Sequence, residues 1–292
     1  MRVDISFITV NYNGLSDTLE FVASIHEKVR SVTYEIIVVD NHSTSNEAEA
    51  IAAAHPEVRV ISSSRNLGFA GGNNLALPHA QGRYLFFINN DTVIHTDGFG
   101  TLVRRFESDP SLGMLSPKIR FWAEPTILQY AGFTPLSPIT LRNKGVGCGE
   151  EDNGQYDAAC ETAFAHGAAM MIPAAVLQEV GAMREDYFLY YEELDWAETI
   201  RRHGYRIYYD PSCVILHKES RATGENSPLK AYYLTRNRLL FAHRNRPAWL
   251  LPLCYLYLTL AALLHSLRGT AQHRSMTRRG IADFYHSRYG QL

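Results

Sequence analysis

The first ninety residues alternate between two kinds of pattern. Runs of apolar residues without polar alternation occur at "ISFITV" (Ile5 to Val10), "YEIIVVD" (Tyr34 to Asp40), "VRVISS" (Val58 to Ser63) and Tyr84 to Ile88 of "GRYLFFINNDTVI". Such runs predict strands buried on both faces. Helical patterns separate them. Ser16 to Arg30 carries Leu19, Val22, Ala23 and His26 on one stripe, and Ala48 to His55 and Asn73 to Gln81 predict two shorter helices. Strands alternating with helices predict a parallel sheet covered on both sides, an α/β fold.

The pattern loosens after Pro110. Pro117 to Cys160 is rich in Gly and Pro, which predicts loops and short antiparallel strands. Order returns from Gly167 to Tyr209. "AAMMI" is followed by a helix near Ala174 to Val180, another from about Leu194 to His203, and strands at "YRIYYDP" and "SCVILH". From Pro247 to Leu264 there is no charged residue. A helix of that length reaches roughly 27 Å, near the lower limit for crossing a bilayer. Arg244 and Arg246 precede it, and Arg268, Arg274, Arg278 and Arg279 follow. Cations on both flanks suit a helix lying on the inner, anionic face of a membrane. A buried helix or a homodimer contact is the competing reading.

Composition narrows the class. Hydrophobic residues make up 46% and charged residues 20% of the 292, as in a globular protein. A net charge of −2 argues against nucleic-acid binding driven by overall charge. Cys148, Cys160, Cys213 and Cys254 show no paired metal-site spacing. They are expected to be reduced thiols in a cytoplasmic protein. The opening "MRVDISFITVNYNG" lacks the basic region and long apolar run of a signal peptide.

The candidate chemistry lies where the buried runs stop. They end at Asn11-Tyr12-Asn13, Asp40-Asn41, Arg65-Asn66 and Asn89-Asn90-Asp91. Asn and Asp begin turns and cap helices, which accounts for any one cluster. Four together at the carboxyl edge of a parallel sheet point to a ligand crevice. No G-x-G-x-x-G follows the first strand, and there is no Walker loop. Phosphates there would need a divalent cation held by carboxylate oxygen.

At these residues the chain resembles a known family. "FITVNYNG", "EIIVVDNHS", "RNLGFAGGNN" and "LFFINNDT", in this order, look like an inverting family 2 glycosyltransferase of the GT-A fold, and most like its rhamnosyltransferase-like branch. The similarity runs from about Ile5 to Lys218. It implies a nucleotide-diphospho-sugar donor based on dTDP or UDP and a glycan or lipid-linked acceptor. It implies that Asp40 accepts from the base N–H, that Tyr12 packs on the base with Thr9 nearby, and that Arg65 and Asn66 line the same pocket. Gly71 and its neighbours would let backbone approach the nucleotide. The family's Asp-x-Asp metal motif becomes Asn89-Asn90-Asp91, so one anionic ligand is lost. Asp91 and His217 are then the expected ligands of Mg²⁺ or Mn²⁺. Asn89 would contact the ribose or a metal-bound water, and Asn90 completes the donor set.

"YFLYYEELDWAETIRRHGYRIYYDPSCVILH" holds a second cluster. Glu192, Glu193 and Asp195 open an amphipathic helix, where acids also favour the dipole. Inverting transfer needs one carboxylate to take the acceptor's proton. The match to the family puts Glu193 in that position, with Glu192 and Asp195 as substitutes, and Gly167 of "HGAAMMI" and Trp196 on the acceptor side. The expected organisation is a catalytic domain over 1–220, with a nucleotide-sugar half to about 115 and an acceptor half from 116, then a helical extension over 221–292. Two other classes use the same edge. A nucleotidyltransferase would need a Gly-rich basic loop after its first strand, which is missing. A non-catalytic sugar-nucleotide binder is supported by Asn89 alone.

Overall fold

The computed structural model describes residues 3–218 and 227–292. The expected domain boundary at 220–221 lies outside the described residues. One mixed sheet runs through the molecule in the order β3-β2-β1-β4-β9-β6-β10-β5. Its first half is parallel and comprises β1 (Ile5–Asn11), β2 (Tyr34–Asp40), β3 (Arg59–Ser62) and β4 (Tyr84–Ile88). β9 (Ala169–Pro173) lies antiparallel between β4 and β6 (Leu112–Phe121). β10 (Arg206–His217) runs parallel to β6 and antiparallel to β5 (Thr92–Thr96). The sheet is therefore continuous across residue 115.

β1, β2 and β4 bury both faces, which is why their sequences do not alternate. Phe7, Val38 and Phe86 point into one core layer with α1 (Leu15–Lys28) and α4 (Phe99–Ser108). Ile8, Ile37, Val39 and Phe87 point into the other, under α3 (Gly68–Ala76), α5 (Ala174–Val180) and α6 (Glu192–Arg202). β2, β4 and α5 have the predicted limits. α3 starts five residues before the predicted helix at Asn73. Its glycines lower helix propensity, yet they admit close packing: a Cβ on Gly72 would meet Val10 at 2.9 Å. "YRIYYDP" and "SCVILH" are one strand, β10, whose register shifts between Asp210 and Val214. Pro211 there has no N–H to give the ladder.

Three C-terminal helices, α7 (Pro228–Asn245), α8 (Leu251–Ser266) and α9 (Ala271–Tyr285), share a core with Leu141 and Tyr187. The apolar stretch is mostly unburied. Ala248–Ser266 has a mean hydropathy of 1.6 and only 17% of it is buried. Trp249, Leu253, Leu256, Leu260, Leu264 and Leu267 form an exposed stripe at helical spacing.

Candidate active site

The triplet after β4 does not lead into a helix. The chain returns at once as β5, and Thr92 pairs with His217 at the end of β10. That register brings Asp91 to His217, with Oδ1 to Nε2 at 3.3 Å. Gln129 Oε1 lies 2.8 Å from His217 Nδ1. A carboxamide oxygen only accepts, so Nδ1 donates and Nε2 faces Asp91 with its lone pair in the neutral ring. Asp91 Oδ1 is buried and has no hydrogen-bond partner among the described residues. Two ligands bound to one ion at about 2.0–2.2 Å stand roughly 3 Å apart, so this oxygen and nitrogen fit a divalent cation. Gln129 sits on β7 (Leu128–Tyr130), in the stretch whose sequence has little periodicity, and nothing in the pattern marked it.

Across the cleft stands the second cluster. A cavity of about 380 Å³ is lined by Asn89, His217, Gly167, Glu192 and Glu193, with Phe133 on its apolar wall. β4–β9 pairing explains Gly167: Ile88 pairs with Ala169, and Asn89 N–H donates to Ala168 O at 2.9 Å. A Cβ on Gly167 would stand 3.4 Å from Glu193 Cγ, so the loop and the carboxylate are packed together. Burial raises the Glu193 carboxyl above its ordinary value. Glu192 is raised well above its own by burial and by the charge of Glu193, and its Oε2 has no partner. His166, also on the cleft, is held neutral. Burial takes it down to about 3, helped by His217. Its Nδ1 accepts from Ala168 N–H and its ring stacks on Phe133.

The segment before α6 is strained. Phe188, Tyr190 and Tyr191 all have φ between 65° and 79°, which is costly for bulky side chains. α7 holds it. The fully buried Asn237 side chain donates to the carbonyls of Tyr187, Leu189 and Tyr190 at 2.7–2.9 Å. Arg236, also fully buried, donates to Tyr187 O at 2.7 Å. Both side chains converge on Tyr187 O, and Arg236 Nε donates to Asn237 Oδ1, which fixes the amide's orientation.

At the donor edge, Asn11 and Asp40 are partners in the β1–β2 register. Asp40 Oδ1 accepts from Asn11 and Ser43, and Oδ2 has only Ser43 N–H at 3.4 Å. That leaves Oδ2 free to accept from a ring N–H. Glu47 braces the same corner by accepting from Asn11 and Gly14 N–H. Tyr12 is exposed beside it.

Several expected residues do other work. Asp195 is buried behind α6, accepting from Tyr187 Oη at 2.9 Å and Asn245 Nδ2 at 2.7 Å. Trp196 is buried edge-on to Phe87 and donates to Gly181 O, so it supports the helix and does not face the acceptor. Both stand one turn below Glu192 on the same side of α6, and their contacts with Tyr187, Asn245, Phe87 and Gly181 hold them inside, out of the cleft. Asn90 donates to Thr18 Oγ1 at 2.9 Å and anchors α1. Asn66 Oδ1 closes its own turn on Gly68 N–H, and Arg65 is exposed. Thr9 is fully buried in β1 with its hydroxyl unpartnered. Gly71 packs on Leu67, where an added Cβ would stand at 2.8 Å, so it serves α3.

Known proteins are similar to this chain in sequence and fold. The family model for glycosyl transferase family 2 matches residues 6–144. Over that stretch, just under half of its length, the chain is similar to glycosyltransferase family 2. It is 26% identical over 257 residues to the low-salt glycan biosynthesis hexosyltransferase Agl10 of Haloferax volcanii, covering 82% of this chain and 76% of that one. It is 22% identical over 294 residues to the N-acetylglucosaminyl-diphospho-decaprenol L-rhamnosyltransferase of Mycobacterium tuberculosis, covering 93% and 94%. Among solved structures, GalNAc-T7 with UDP, GalNAc and Mn²⁺ superimposes with a TM-score of 0.69 at 13% identity. That superposition covers 97% of this glycosyltransferase, which spans only 56% of GalNAc-T7, and it shows the GT-A fold.

Proposed function

We propose that this glycosyltransferase moves a sugar, rhamnose by its likeness to the mycobacterial relative, from a dTDP or UDP donor to a lipid-diphosphate-linked glycan, with inversion. The observation that carries the reading is the cleft itself. A carboxylate of raised affinity for protons, Glu193, stands on one wall, and Asp91 and His217 meet on the other. The acceptor hydroxyl oxygen forms a bond to the anomeric carbon as the bond from that carbon to the diphosphate breaks. Glu193 takes the hydroxyl proton, and the nucleoside diphosphate leaves on the opposite side. Asp91 and His217 would hold Mg²⁺ or Mn²⁺, and a cation there neutralises charge on the departing diphosphate. Asp40 Oδ2 reads the base N–H by a charge-assisted hydrogen bond. Burial keeps the proton affinity of Glu193 high, and the charge of Glu193 in turn raises Glu192, which has one oxygen unpartnered among the described residues.

The exposed leucine stripe of α8 lies between arginines and suits the cytoplasmic membrane surface, where a lipid-linked acceptor is found. Calorimetric titration with dTDP, UDP and GDP, each with and without Mn²⁺, tests the donor site. Metal-dependent binding of dTDP or UDP, lost in Asp40→Ala and weakened in Asp91→Ala, is expected. Failure of all three nucleotides to bind would overturn the proposal.

A further inference from the structure

A second cavity, also about 380 Å³, lies among α7, α8 and α9. Five potential cations line it: Arg142, Lys230, Arg238, His265 and His273. Among the described residues no carboxylate does. The guanidinium Nε of Arg238 and the Nδ1 of His273 are both buried without a hydrogen-bond partner. Arg238 has one of its other nitrogens on Thr140 O, which fixes the direction of the fork. Nitrogens buried in the wall of one cavity without a partner among the described residues, beside Arg142 and Lys230, match the oxygens of a phosphate.

The remaining wall is apolar, with Leu234, Leu258 and Ala262, so the cavity suits an amphiphile better than a free anion. It also adjoins the catalytic cleft. Tyr191 lines both cavities, and Arg142 lies between Leu141 and Asn143, which line the cleft. α8 forms one wall with its inner face and carries the leucine stripe on its outer face. A bilayer against that stripe would lie about one helix diameter, roughly 10 Å, from the cavity.

We propose that this cavity binds the diphosphate of a lipid-linked acceptor, with the acceptor's sugar directed past Tyr191 to Glu193. The proposal rests on the lipid-diphosphate acceptor stated above. Its phosphates take the arginine fork and the Lys230 ammonium, and the first units of its chain lie on Leu234 and Leu258.

The test titrates the full chain with farnesyl diphosphate, farnesol and vesicles of phosphatidylglycerol. Wild type is compared with Arg238→Gln and with Lys230→Glu, a partly exposed position that tolerates change. Nucleotide titration in Mn²⁺ runs alongside as a check on folding and on the donor site. Farnesyl diphosphate is expected to bind wild type and to weaken at least tenfold in both variants, with nucleotide binding unchanged. No binding to wild type, binding by both variants as tight as by wild type, or equal binding of farnesol would overturn the proposal. So would displacement by phosphatidylglycerol vesicles at matched phosphate, which would make the site a reader of bulk anionic headgroups. Loss of nucleotide binding in wild type would instead overturn the donor site, and farnesyl diphosphate binding would still report on this cavity.

Discussion

In the proposed chemistry two side chains, His217 and Glu193, act in the cleft, and the packing around each sets its state. His217 presents Nε2 because Gln129 takes its Nδ1–H. Gln129→Leu should therefore weaken Mn²⁺ binding by about 10–100-fold while the fold is kept, as losses of such supporting partners do. Manganese-dependent nucleotide titration measures it, and an unchanged metal affinity would show that His217 needs no such support. Glu193 and Glu192 are both raised by burial, and the charge of Glu193 raises Glu192 further. A base works only when deprotonated, so activity should fall as pH drops through a point above the usual glutamate range. Glu192, the more strongly raised, keeps its proton as Glu193 loses its own, so Glu192→Gln should leave that limb in place. Glu193→Gln should cut turnover by about 10²–10⁴-fold with little change in nucleotide affinity. A pH–rate profile of the three proteins decides both. A limb moved to lower pH in Glu192→Gln would mean that Glu192 is charged while Glu193 titrates.

Elements decide where those side chains stand. The β5–β10 register joins Asp91 to His217, and β9 inserts Gly167 beside Asn89. α7 holds the three left-handed residues ahead of α6 through Asn237, whose amide serves three carbonyls. Asn237→Ala leaves those carbonyls without that donor and should cost about 1–3 kcal/mol. The expected signature is selective: a lower melting temperature and a large fall in turnover, with nucleotide binding at the Asp40 corner retained. Equal loss of nucleotide binding and turnover would mean that α7 supports the whole fold and not the base alone. The helical extension is thus part of the catalytic architecture. Its sequence hides this, because Arg236 and Asn237 look like surface residues on any helix until the loop they hold is in place.

At the scale of the whole molecule, one continuous sheet carries one wall of the cleft, α6 carries the other, and the C-terminal helices pack against the loop ahead of α6. The leucine stripe of α8 is the largest exposed apolar feature of those helices. Leu256→Glu with Leu260→Glu should reduce cosedimentation with anionic vesicles severalfold and leave the melting temperature almost unchanged, since neither side chain is buried. A fall in oligomer size without a change in vesicle binding would assign the stripe to a second copy of the chain. Much of this molecule was legible in its residues alone. Apolar runs without alternation specified strands buried on both faces, because a pleat with two apolar sides has no exposed side. Polar residues at their ends marked the ligand edge, because a parallel sheet brings those ends together. The acids before "LDW" marked the opposite wall. What only the tertiary structure decided is which of these groups meet. Gln129 reaches His217 across strands, Asp195 and Trp196 turn inward, Asn90 turns back to α1, and α7 secures the loop before Glu192. Residue type and spacing carry the periodicity of an element, whereas the direction of a side chain is set by packing between elements distant in sequence.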